Sequence, residues 1–430
     1  QYVGERFKFY LERYENMTHS EKVVDLLHAG QFDEMATELA KAIETDGLDL
    51  LTDLAEYLSM MGFMAESRQV YEKIAAKDAN NTDILLNLAE MKFDDGDLDG
   101  ALELLYKIEA TDDNYVAALV MIADLYQADG VWEAALEKLL EAASLTDSPL
   151  VTFAIGELYY NQGKWREAIS HFAKLSQRQI LELTKISTYQ RIGTAYASLG
   201  EFENATKFLE KSLEIDHDDN VLFELAQINF ATGEATRAID YFKQLDALAP
   251  DFDGYAYPYA QALIEENDFE AAFTVAKDGL SKNPTDVPLI HLTSRIAYAL
   301  HDLEGAEKYL TQALDLPDLH DETVFLLSNL YMEQEDFEAV IGLESLLDEE
   351  HVLAQWNIAK AYRELDQDEK SLTIYDEISQ SVLIDNPEFL LDYAQMLIRN
   401  GRTADAKTSL SKYLSLVPDD DNSQALFNEL

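Results

Sequence analysis

Gly62, Gly96 and Gly130 stand 34 residues apart, and each is followed five residues later by a small side chain: Ser67, Ala101 and Ala135. The pair recurs as Gly163/Ala168, Gly200/Ala205 and Gly233/Ala238. It passes through turns without glycine at Asn267/Ala272 and His301/Ala306, and returns at Gly401/Ala406. A break followed by a small residue, with a period near 34, is the mark of stacked helical hairpins. Each hairpin buries its apolar face on its neighbours, so the 430 residues need no single large core.

One stretch shows the pattern in full. Phe153, Ile155, Gly156, Leu158 and Tyr159 fall at helical spacing, Asn161-Gln162-Gly163 breaks it, and Trp165, Ala168, Ile169, Phe172 and Leu175 form a second apolar stripe. Glycine at the break suits a helix C-terminus that turns left-handed. Gly156 and Ala168 let the paired helices approach, and Tyr159 and Phe172 fill the space beside them.

Gly156, Tyr159, Ala168 and Phe172 sit at the spacing of the tetratricopeptide pattern, as do Gly193, Tyr196, Ala205 and Leu209, and Ala123, Tyr126, Ala135 and Leu139. Pro250, Pro284 and Pro418 stand where that family ends its second helix. The chain therefore resembles a tetratricopeptide repeat protein over nearly its whole length, and in length and texture it is similar to the long acidic members of Gram-positive bacteria. The resemblance implies an all-α, right-handed superhelical solenoid of about twelve hairpins that acts as a non-enzymatic scaffold or adaptor. The alternative is a structural subunit that self-assembles through its terminal repeats or its N-terminal helix.

Departures from the period carry expectations of their own. The step from Gly163 to Gly200 is 37 residues, which predicts a longer second helix through Ser176–Thr184, and with it either a change of superhelical pitch or a joint between two halves near 176–185. The step from Glu335 to Asp366 is 31, which predicts a shortened Leu343–Val352 region. The first repeat, around Gly30 and Met35, is weak. The solenoid is expected over 17–430, with a capping helix at about 422–430. Residues 1–16 differ from the rest: Val3, Phe7, Tyr10, Leu11 and Tyr14 make an amphipathic stripe beside Arg6, Lys8 and Arg13. A capping helix, the remnant of a fused segment and a ligand helix all fit it.

With 83 acidic and 32 basic residues the formal charge is -51, while a 47% hydrophobic content keeps the chain in the folded class. Nucleic acid and direct membrane binding are disfavoured, because no cationic surface displaces counterions or meets anionic lipid. Basic or amphipathic protein segments are attracted. An acidic surface also serves solubility, and suits a salt-adapted proteome. The absence of cysteine excludes disulfides and thiolate chemistry. No apolar run reaches the ~18 residues of a membrane span, and Gln1–Asn16 lacks the apolar core of a secretory signal. A cytoplasmic location is expected.

Chemistry is sparse. Asp95-Gly96-Asp97-Leu98-Asp99-Gly100 begins like a calcium loop, but its twelfth position is Tyr106 rather than the bidentate glutamate, and it falls on a hairpin turn. The eight histidines form no HExxH pair, and there is no GxSxG, P-loop or GxGxxG. Neither cofactor nor metal is expected.

In the family the first helix of each repeat lines the concave surface. Carried over, the candidate contacts in the N-terminal half are Asp49, Glu56, Asp83, Glu90, Phe93, Asp124, Phe153, Glu157, Tyr160, Phe223 and Phe230, acids interleaved with aromatics. They suit a basic or amphipathic peptide. In the C-terminal half Tyr257, Gln261, His291, Arg295, Tyr298, Phe325, Asn329, Trp356, Lys360 and Arg363 occupy the same positions, and Arg295, Lys360 and Arg363 suit an acidic segment. The same aromatics also fit simple packing between adjacent first helices.

Overall fold

The computed structural model describes residues 17–316, 320–347 and 351–430. The amphipathic segment 1–16 lies outside them. Among the described residues the chain is all-α, with 26 α-helices, two short 3-10 turns and no strand. Apart from Gln177–Thr184 and Asp421–Glu429, the helices pair into twelve hairpins, from His19–His28/Phe32–Thr45 to Pro387–Arg399/Thr403–Leu416.

Every hairpin turns on one left-handed residue with φ between 56 and 85: Gly30, Gly62, Gly96, Gly130, Gly163, Gly200, Gly233, Asn267, His301, Glu335, Asp366 and Gly401. The next residue's N–H closes on the carbonyl five positions back, as from Phe63 to Leu58 (2.8 Å) and from Gln367 to Tyr362 (2.9 Å). This closure satisfies carbonyls that the helix end leaves open. It needs the left-handed conformation, which explains why glycine dominates the turns.

The small residue five positions on is buried in every hairpin with a small residue there; Ala101, Ala135, Ala168 and Ala205 are all fully covered. Where serine replaces alanine, its hydroxyl is satisfied by the facing helix: Ser67 donates to the Ala55 carbonyl and Ser371 to that of Ala359, both at 2.7 Å. Gly156 answers the same need for close approach. A Cβ there would lie 2.6 Å from Phe172 Cε1.

The chain divides into two compact units, Gln1–Asp216 and His217–Leu430, each with six hairpins. In the first, one core cluster joins Leu119, Ala123, Ala135 and Leu139 of the fourth hairpin to Val151, Ile155 and Leu158 of the fifth. In the second, Ala297, Ala306 and Leu310 join Val324, Leu327 and Leu330 of the following hairpin. Burying each Leu or Ile contributes about 1.5–3 kcal/mol, and the contribution is shared across the boundary between hairpins.

The 37-residue step is spent differently from the expectation of a longer second helix. The helix Trp165–Phe172 stops after eight residues, a separate helix Gln177–Thr184 comes next, and Lys185 turns left-handed (φ 62) before Thr188–Ser198 begins. The reason is Gln177, which is buried. Its amide donates to Ser187 Oγ (3.0 Å), its oxygen accepts from Thr188 Oγ1 and the Tyr189 N–H (3.1 Å), and Ser187 reaches Ser212 (2.7 Å). These partners lie ten or more residues away and fix Gln177 as the start of its own helix. Ile180 then joins Phe153, Phe172 and Ile192 in the core. At the 31-residue step the second helix shrinks to Phe337–Gly342, followed by a 3-10 turn at Glu344–Leu346.

Candidate functional site

Asp49, Glu56, Asp83 and Glu90 stand exposed or half-exposed on first helices of the first unit. Glu56 and Glu90 converge electrostatically on Tyr71, whose phenol is pushed up to about 12 by burial and then by these two carboxylates. Asp83 accepts a hydrogen bond from Asn114 Nδ2 (2.8 Å). Asp124 is open to water yet walled by protein, and desolvation pushes its carboxyl up to about 6. Phe93 is half-buried against its neighbours.

The next repeat is different. Phe153 is only 7% exposed and packs on Phe172 with ring centroids 5.7 Å apart, so it belongs to the core rather than to an open face. Glu157 accepts a bidentate pair from Arg191 at 2.8 and 3.1 Å, and that guanidinium sits 4.9 Å over the Tyr160 ring. The two most promising contacts of this repeat are thus spent on holding adjacent first helices together. Phe223 packs between Phe242 and Phe252, and Phe230 is half-buried.

In the second unit the three cations expected to act together have different surroundings. Trp356 is 7% exposed and donates from Nε1 to Asp392 (2.8 Å), Tyr375 donates to the same oxygen, and Arg363 pairs with the other. Lys360 lies 3.7 Å over the Trp356 ring, and burial lowers its pKa. Arg363 and Trp356 therefore serve the interior. Asp392, the residue that organises them, lies 29 positions beyond Arg363 on a helix that the period alone does not distinguish.

Arg295 lies elsewhere, in a cleft of about 420 Å³. Three consecutive first helices line it, Ala256–Glu265, Val287–Ala299 and His320–Glu333, and Ala306 and Leu310 of the second helix Leu303–Leu314 close it behind. Leu292, Leu326 and Leu330 contribute its apolar lining; Tyr257, Tyr298 and Asn329 add polar edges. Glu322 and Glu333 also line it and were absent from the sequence-derived candidates. The signal that finds them is helical spacing, since 322, 326, 329 and 333 fall on one face. At one end His291 bonds Thr323 Oγ1 (2.7 Å); burial lowers its pKa, against the pull of Glu322. At the other end the Glu333 carboxylate raises the Tyr298 phenol. A cleft of this size falls within the range of binding pockets.

No group of three or more potential metal ligands occurs among the described residues. Asp97, from the calcium-like stretch, instead caps the Gly100 N–H (3.0 Å) and pairs with Lys92. No helix among the described residues is long and apolar enough to cross a membrane.

Family models match four stretches of the chain: YpiA-like C-terminal tetratricopeptide repeats at 353–420, YpiA-like tetratricopeptide repeats at 127–180, the ARM repeat of tetratricopeptide repeat protein 21 at 15–130, and a tetratricopeptide repeat at 186–219. The TPR repeat-containing protein YpiA of Bacillus subtilis is 28% identical over 280 residues, which cover 64% of this chain and 66% of that relative, just under two thirds of its length. Among solved structures, the C-terminal part of a TPR repeat-containing protein from Cytophaga hutchinsonii aligns over 64% of this chain and 98% of its own (14% identity, TM-score 0.42). The Cut9–Hcn1 hetero-tetramer structure aligns over 97% of both chains (13% identity, TM-score 0.38). Left-handed hairpin turns, buried small residues five positions beyond them, and family models recurring along the sequence lead to one conclusion: the chain is a tetratricopeptide repeat protein.

Proposed function

We propose that this protein is a non-catalytic scaffold that holds a segment of a partner protein against its first helices. The observation that carries the reading is the cleft across three consecutive first helices, which has an apolar floor and polar groups that folding does not fully use. The formal charge of -51 favours a basic or amphipathic partner and disfavours nucleic acid and anionic membranes. A cytoplasmic adaptor role fits this chemistry.

Site-specific photo-crosslinking in the full chain tests it. A photoreactive side chain replaces Asn329, in the cleft, or Lys308, exposed on a second helix. Partner crosslinks from position 329 that are absent from 308, and that weaken in Glu56→Lys/Glu90→Lys only if the partner reaches the first unit, support the reading. Partner crosslinks from 308 alone refute it. Crosslinks only between copies of the chain favour self-assembly instead.

A further inference from the structure

The feature of the cleft that folding leaves unexplained is Arg295. Of the nine described arginines, seven sit within 4.0 Å of a carboxylate, and Arg237 is engaged as well. Arg295 is the exception: it is exposed, and no ion pair or hydrogen bond holds its side chain among the described residues. In a chain with 83 acidic residues an arginine finds a partner easily. Here two carboxylates share its cleft and neither takes it. Glu322 lies toward His351 (3.6 Å) and acts on His291, one turn before Arg295. Glu333 acts on Tyr298, about one turn after it. The guanidinium is left facing the cavity, with an acid on each side and leucines along the wall.

A planar guanidinium with open donors is matched best by a carboxylate, which it binds through two parallel hydrogen bonds. A segment acidic throughout would be repelled by the whole chain, whose field extends beyond the contact. Glu322 and Glu333 would repel it again at close range. Both demands are met by a segment that is basic in general and acidic at one place.

We infer that the cleft reads one aspartate or glutamate, next to an aliphatic side chain, within an otherwise basic partner segment. The acid pairs with Arg295, the aliphatic group covers the leucine wall, and flanking lysines or arginines meet Glu322 and Glu333. This rests on the scaffold reading above and adds the chemistry of the segment that the cleft selects.

The test is selection from a displayed library of random peptides against the full chain, run in parallel with Arg295→Gln and Arg295→Glu. Synthetic peptides of the winning sequence are then measured by fluorescence polarisation. The expected winners carry Asp or Glu beside Leu, Ile or Val with Lys or Arg outside them. Replacing that acid by its amide is expected to weaken binding about tenfold in the wild type, the scale of a charge-assisted pair. It is expected to have little effect in Arg295→Gln, and Arg295→Glu is expected to select Lys or Arg at the same place. Winners without the acid, or an acid preference that survives in Arg295→Gln, overturn the inference and leave the scaffold reading standing. Enrichment of nothing over unrelated control proteins counts against both.

Discussion

Asp392→Asn is the most revealing single change in the second unit. Asp392 accepts from Trp356, Tyr375 and Arg363 at once; its side chain is 14% exposed and that of Arg363 22%. Tyr375 is fully buried, and its phenol is held far above the ordinary range by burial first and Asp392 second. Asparagine keeps the shape but has one acceptor oxygen in place of two, and its NH₂ faces the guanidinium donor to donor. The remaining oxygen still accepts from Trp356 and Tyr375, so the loss falls on Arg363: a hydrogen bond to a charged group contributes about 1.5–3 kcal/mol, and removing one partner of a buried ion pair costs about 3–5 kcal/mol in all. Partial exposure of the pair lowers the cost, so about 3 kcal/mol is expected, or roughly 150-fold in an equilibrium constant. Repeat arrays need not unfold in one step, so the assay is amide hydrogen exchange by helix. Protection should fall by about two orders of magnitude over Val352–Glu364 and Asp368–Ile378 and stay unchanged over Tyr115–Ala128 in the first unit. Adding Arg363→Gln should cost less than it does alone, because its partner is already gone. A change below about fivefold (about 1 kcal/mol) in those helices, or strict additivity in the double variant, would refute the argument that the charge holds this corner together.

Three further outcomes are expected. Glu335→Gly, at a turn residue with φ 57, should stabilise the second unit by about 0.5–1 kcal/mol, whereas Gly62→Ala should cost about 1–2 kcal/mol; thermal melting with opposite signs checks the pair. Gly156→Ala should lower stability by about 1–3 kcal/mol through overpacking against Phe172, and an unchanged melting temperature would show that the ring moves aside freely. Asp124, raised to about 6 from an unfolded value of 3.8, binds a proton in the folded state before the unfolded one. Stability should therefore rise as pH falls from about 6 toward 4 and be flat above, and Asp124→Asn should lack that increment; a carboxyl titration by NMR with a midpoint near 4 would contradict it.

How much of this could be read from the sequence depended on how local each cause is. A left-handed turn and a small residue five positions later are set within a few residues, so Gly62/Ser67 and even His301/Ala306 announce their hairpins. The helix Gln177–Thr184 was hidden because its start is dictated by Ser187, Thr188 and the Tyr189 backbone, and the apolar residues alone suit a longer helix. The candidate faces were legible as faces, but their availability was not. Arg191 and Asp392 each lie about one repeat from the residues they engage, Glu157 and Arg363. Arg295 was legible only as a residue of a first-helix face, grouped with Lys360 and Arg363, while its lack of a partner is a fact about every residue around it.

The inserted helix at 177–184 also bears on how such a chain can change over time. The hairpin turns on either side of it close identically, Lys164 onto the Tyr159 carbonyl and Glu201 onto that of Tyr196, both at 2.9 Å, although a whole element has been added between them. Since each hairpin answers only to the ones beside it, length can be gained or lost in pieces smaller than a repeat while the downstream hairpins keep their form. The insertion shows that a hairpin series can change its length by less than one repeat while the hairpin on each side keeps its own turn.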